Sequence, residues 1–260
     1  MTPFVQDCRS IRERSPLILN ITNYVAMNFT ANALLAIGAS PLMSSESGEM
    51  DELVELCSAL VINIGCLEKA QIEAMQTAAA AAERLGRPWV LDPAGAGASR
   101  LRTQTALELA ARRPAVIRGN AAEILCLAGA SVASRGVDSA VAGEMAVEAG
   151  RELAQRYGTV VSISGPRDYI TDGAEVVCVG NGSPLMPRVT AMGCAASAVT
   201  GAFAAVEADK LQAAAGAMAL MGVAGGLAAS AAAGTGSLAT GFIDILSTLQ
   251  PEEAEKLIVR

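Results

Sequence analysis

Short apolar runs alternate along this chain with segments of helical spacing, and that alternation leaves few folds open. The runs Leu17–Ile21, Pro41–Ser44, Ala59–Gly65, Trp89–Asp92, Ala115–Arg118 and Thr159–Ser164 are too short for helices and too evenly apolar for half-exposed strands. They read as strands buried on both faces. Between them, helical spacing is expected over 3–14, 29–37, 50–57, 68–85, 102–112 and 140–157, with a loop over 130–138. Asp168–Thr171 and Glu175–Val179, joined by Asp172-Gly173, form an expected hairpin. The remainder reads as helix: one after Met192, one from about Lys210 to Ala233, and a last pair through 242–258. Strand alternating with helix predicts an α/β fold with a mainly parallel central sheet and helices on both faces. No repeat or break in composition marks a linker, so residues 1–260 are expected to form one domain.

Polar residues stand where the apolar runs stop. Asn20, Asn23, Asn63, Asp92, Arg118, Asn120 and Ser164 all close or follow a strand at its C-terminal end. In an open α/β sheet that edge is where ligands bind. Singly, each has a plainer role: Asn23 and Asn120 as helix caps, Asp92 as a turn residue before Pro93, Arg118 as a surface charge. Their gathering on one edge is what suggests a site.

A second feature is the stretch Arg188–Phe203, a small-residue turn running into a helix of Ala, Val, Ser and Gly. Backbone N–H groups at such a helix N-terminus can hold an anion. Cys194 falls on the first turn, where the helix field favours a thiolate. An anion pocket with an ionisable group at its mouth suits phosphoryl transfer to an alcohol. The alternative is a buried Ala-rich helix that merely begins Gly-Cys, since a free cysteine is often just a small core residue.

Composition removes competing chemistry. The chain has no histidine, which excludes Ser-His-Asp hydrolysis, Cys-His proteolysis and histidine-ligated metals. Net charge is −7 with no Lys/Arg cluster, which argues against nucleic acid and anionic membrane as partners. A phosphate ligand must then be held by local dipoles and a few placed cations. The six cysteines form no CxxC and read as reduced thiols, as in a cytoplasmic protein. Met1–Asp7 carries no secretory pattern. Val189–Val206 and Leu211–Thr240 are uncharged and long enough to span a bilayer, but Ala, Gly, Ser and Thr dominate them. Buried, closely packed helices are the expectation there.

Several blocks now fall into a known order: Ile21-Thr22-Asn23-Tyr24-Val25; Thr30–Met43; Leu91–Ala98; Ile117–Ile124; Ser164-Gly165 with Asp168–Gly173; and Gly193-Cys194-Ala195. With them the chain resembles the hydroxyethylthiazole kinases, a thiamin-salvage branch of the ribokinase-like superfamily. The resemblance implies a ribokinase-like fold and phosphorylation of the primary alcohol of 4-methyl-5-(2-hydroxyethyl)thiazole by ATP with Mg²⁺. It also implies a homotrimer whose sites are shared between subunits. Carried over by residue, Asn23, the backbone at Met43 and Ala191 would bind the thiazole. Asp92 and Glu123 would act on Mg²⁺, directly or through water. Arg118, Asn120 and Ser164 would hold ATP, with Asn120 and Glu123 matching the superfamily's Asn-x-x-Glu element. Gly193 and its neighbours in the turn would form the anion hole, and Cys194 would take the hydroxyl proton where related sugar kinases use aspartate.

Two departures bear on rate. Most of the family reads Gly-Thr-Gly-Cys where this chain reads Ala191-Met192-Gly193-Cys194, so a glycine's φ freedom and a hydroxyl are lost. Ser164 replaces the usual threonine and keeps its hydroxyl. The altered turn predicts a slow enzyme. Two other readings stand beside the kinase: a relative that keeps the thiazole or nucleotide pocket without its chemistry, and a ribokinase-like dehydratase that repairs a nicotinamide nucleotide. The latter normally carries Asp at the position of Cys194.

Overall fold

The computed structural model describes residues 1–130 and 139–259; most of the loop expected over 130–138 lies outside them. The expected strands form as β1 (Leu17–Ile21), β2 (Ser40–Met43), β3 (Ala59–Asn63), β4 (Trp89–Asp92), β5 (Val116–Asn120), β6 (Val160–Ser164), β7 (Asp168–Thr171) and β8 (Val176–Val179). They make one sheet in the order β2-β1-β3-β4-β5-β6-β7-β8. Pairing is parallel from β2 through β6 and antiparallel for β7 and β8, which form the anticipated hairpin.

The helices are α1 (Pro3–Arg14), α2 (Met27–Ile37), α3 (Met50–Leu56), α4 (Lys69–Leu85), α5 (Arg100–Ala110), α6 (Ala121–Ala128), α7 (Ser139–Tyr157), α8 (Met192–Val206), α9 (Lys210–Ala231), α10 (Thr235–Thr248) and α11 (Pro251–Lys256). Side chains set several of these ends. Ser99 accepts the Arg102 N–H and starts α5 earlier than the spacing predicts. Asn120 and Glu123 form a reciprocal capping box at α6. Asp209 caps α9 by accepting the Leu211 and Gln212 amides.

Two apolar layers hold the sheet. One packs α1, α2, α8, α9 and α10 against Ile18, Val61, Val90, Val116 and Val160; the other packs α3 to α7 against Leu19, Ile62, Leu91, Ile117 and Val161. Successive strand residues therefore point to opposite layers, as the pleat requires. With few aromatics, the first layer is filled by close approach: a Cβ on Gly201 of α8 would lie 2.6 Å from a methyl of Val61. Helix α9 is long and apolar enough to cross a membrane, but most of its side chains are buried within the fold. An all-round apolar surface is what a core helix needs.

Candidate active site

The pleat decides which polar residues meet. Val61, Val90, Val116 and Val160 face the α8 layer, so Asn63, Asp92, Arg118 and Ser162, two positions further along each strand, face it too. Register places Asn63 beside Asp92 and Arg118 beside Ser162. Helix α8 lies across β1, β3 and β4 with its N-terminus at their C-terminal edge. Chain direction reverses its lateral progress here, since β1 is flanked by β2 on one side and β3 on the other, the crevice where such sheets bind ligands.

Above this row sits the turn into α8. Ala191 is its N-cap, with φ 67 and ψ −1, and offers no side chain to the first-turn amides. The first helical bond runs from the Ala195 N–H to the Ala191 carbonyl at 2.8 Å. Among the described residues the Gly193 and Cys194 amides find no acceptor, which leaves them directed out of the helix toward the sheet edge. Arg118 Nη1 donates to the Gly193 carbonyl at 2.9 Å and braces that peptide. A Cβ at 193 would stand 3.0 Å from the same nitrogen, so glycine is needed for the approach.

Cys194 is partly buried and receives two amide donors, Asn23 Nδ2 at 3.4 Å and Asn63 Nδ2 at 3.3 Å. Asn23 is itself held, donating to Asn63 Oδ1 at 2.9 Å and accepting the Ala26 N–H at 3.0 Å. Both amides favour a thiolate, yet the thiol is pushed up from its ordinary range by burial and by the neighbouring Asp92 charge. Burial and the Asp92 charge thus act against the ionisation that the first-turn position favours.

Asp92 is buried and accepts the Ser197 hydroxyl at 2.6 Å. Burial raises its pKa to about 6, against the lowering effect of Arg118 and Ser197; the Glu123 charge adds to the rise. Glu123 accepts the Gly95 N–H at 2.9 Å and the Asn120 N–H at 2.8 Å, tying the β4–α5 loop to the start of α6. Among the described residues no three acidic or cysteine side chains converge as a metal cage.

The other sequence-predicted residues fall variously. Met43 ends β2 beside Asn20. Asn20 turns inward, donating to the Ile18 carbonyl, and is fully buried below the site. Asn120 is exposed and accepts the Glu123 N–H, the plain cap role. Ser164 is in register with Asn120, its hydroxyl donating to the Gly119 carbonyl at 3.3 Å. Met192 points into the first apolar layer rather than toward the anion hole.

Sequence reasoning did not foresee Ser197 or Asp168 as site residues. Ser197 is one small residue among many in its helix; only its place one turn after Cys194, on the same face, could have drawn attention. Asp168 is buried, accepts the Gly165 N–H at 3.0 Å and is raised to about 6 by burial, with Gly165 and Arg118 opposing.

The mostly parallel α/β sheet with helices on both faces is ribokinase-like in fold. A ribokinase-like superfamily protein from Enterococcus faecalis V583 shares this fold, with TM-score 0.66 and 15% identity over 92% of this chain and 87% of that one. Within that class the chain belongs to the hydroxyethylthiazole kinase family, whose model matches residues 8–252. A hydroxyethylthiazole kinase from Nitratidesulfovibrio vulgaris (strain Hildenborough) is 54% identical over 92% of this chain and 90% of its own length. The solved structure of a hydroxyethylthiazole kinase protein from Pyrococcus horikoshii OT3 superposes with TM-score 0.91 and 38% identity, covering 100% of this chain and 98% of that one.

Proposed function

We propose that the protein transfers the γ-phosphoryl group of ATP to the primary alcohol of 4-methyl-5-(2-hydroxyethyl)thiazole, in thiamin salvage. The observation that carries this is the pair of unpartnered amides at Gly193 and Cys194, set over Asp92, Asn63 and Asn23 and braced by Arg118. The alcohol oxygen forms a bond to the γ-phosphorus, the bond from phosphorus to the ADP oxygen breaks, and the hydroxyl proton passes to Cys194 Sγ in its thiolate form, the form that burial and Asp92 disfavour. The two amides stabilise the charge that spreads over the transferring oxygens. Asn23 and the backbone at Met43 and Ala191 position the thiazole; Arg118, Asn120 and Ser164 bind the nucleotide, Arg118 through its fork of donors.

Asp92 and Glu123 fit a role with Mg²⁺. Two carboxylates, one of which raises the proton affinity of the other (Glu123 that of Asp92), with no third acidic or cysteine ligand among the described residues, suit a cation that keeps several waters and takes phosphate oxygens. Glu123, engaged by two backbone amides, would act through water and Asp92 through its buried carboxylate. Bound there, the cation supplies positive charge that offsets the phosphates.

Tyr24 and Val25, which follow Asn23, and Leu35 of α2 present exposed apolar side chains. They suit a surface that a neighbouring subunit covers; the family resemblance makes that assembly a homotrimer with shared sites, in the cytoplasm where ATP is available. Transfer of radiolabelled γ-phosphate from ATP to the thiazole alcohol tests the activity. Thiazole and ATP binding without transfer would assign the pocket to a binding protein, and loss of water from a hydrated nicotinamide nucleotide would assign it to repair.

A further inference from the structure

Ser162 lies at the centre of β6, wholly buried, and its hydroxyl has no hydrogen-bond partner among the described residues. Arg118 Nε, also buried, has none either. A buried polar atom left unpaired is unusual enough to need a reason. These two lie side by side: Arg118 and Ser162 are in register on adjacent parallel strands and face the same layer. Neighbouring strands are about 4.8 Å apart, so a change of the Ser162 side-chain rotamer or a single shared water is what would join the two atoms.

Among the described residues Ser162 has no other partner. Its register neighbour on the opposite side is Ile170. Val160 is apolar, and the Ser164 hydroxyl is committed to the Gly119 carbonyl. Helix α9, which covers β6 on this face, presents only Ala, Gly, Leu, Met and Val between Ala213 and Leu227. Arg118 Nη1 is meanwhile committed to Gly193, so a second anchor at Nε would fix the plane of the guanidinium.

We propose that Ser162 is a positioning residue for Arg118, its hydroxyl oxygen accepting from Arg118 Nε directly or through one water and so aiming the guanidinium at the nucleotide phosphates. The nucleotide part of this rests on the kinase reading above; the contact itself does not. In ¹⁵N-labelled, nucleotide-free enzyme the Arg118 Nε–H signal, assigned by its loss in Arg118→Lys, should exchange slowly with solvent. Ser162→Ala should speed that exchange at least tenfold. The same variant should raise KM for ATP about fivefold while kcat changes less than twofold, and Tm should fall by a few degrees, since the loss leaves the buried Arg118 Nε without its acceptor. Unchanged Nε–H exchange in a folded Ser162→Ala enzyme overturns the contact. Faster exchange with unchanged ATP affinity overturns the aiming role, and an Arg118→Lys enzyme with wild-type KM for ATP places the failure in the nucleotide reading instead.

Discussion

Replacing Ala191 by glycine separates backbone strain from chemistry at the anion hole. Ala191 is one of three described non-glycine residues at positive φ, with φ 67. Its Cβ costs about 1 kcal/mol in that region relative to glycine. Glycine also loosens the unfolded chain, which costs about 0.4–1 kcal/mol. The two nearly cancel, so Ala191→Gly should move Tm upward by no more than about 2 °C for a chain of this size. Met192→Thr behaves differently because the thioether is buried in the apolar layer. Losing most of that side chain costs about 2 kcal/mol or more, a fall of roughly 4–8 °C. Its hydroxyl would sit in the core, so the gain of about ten- to a hundredfold that a new phosphoryl contact could bring should not appear. Differential scanning fluorimetry and steady-state kinetics on the two single variants read these outcomes. An Ala191→Gly protein that melts more than about 2 °C below wild type refutes the strain argument. A Met192→Thr enzyme of unchanged Tm and much higher kcat refutes the placement of Met192.

Asp92→Asn should raise the Mg²⁺ concentration needed for half-maximal rate while the protein stays folded by circular dichroism. Because Asp92 titrates at about 6, the wild-type rate should fall below that pH as the carboxylate takes a proton; titrating rate against pH at several Mg²⁺ levels should move this limb downward. Cys194→Ala should lower kcat far more than it changes KM, and the rise of rate with pH should vanish with the thiol, whose ionisation is pushed upward by burial and Asp92. Asp7 is raised to about 7 by burial and by Glu207, with Lys210 also beside Glu207. The folded state holds its proton more tightly than the unfolded chain, so its contribution is present below the unfolded pKa and is lost as pH rises toward about 7. Asp7→Asn should therefore raise Tm at pH about 8 and change it little at about 4, by the same linkage.

The strands, their order along the chain and the edge where the polar residues gather were legible in the sequence because burial on both faces leaves a local mark. A run such as Val90-Leu91-Asp92 must be apolar until it leaves the core, and the polar residue that follows marks the exit. The capping box at Asn120 and Glu123 was legible for the same reason, being a contact across three residues. Family resemblance added the reaction and the proposed roles of the site residues. What no local pattern carried was which polar groups meet. Asn23 and Asn63 converge on Cys194 from positions 171 and 131 residues away, and Ser197 reaches Asp92 across 105. Those pairings exist only once α8 lies across the sheet. Tertiary structure also added effects that oppose one inference. A helix N-terminus favours a thiolate locally, whereas desolvation and the Asp92 charge brought in by another strand act against it, and both depend on packing that the first turn of α8 does not encode.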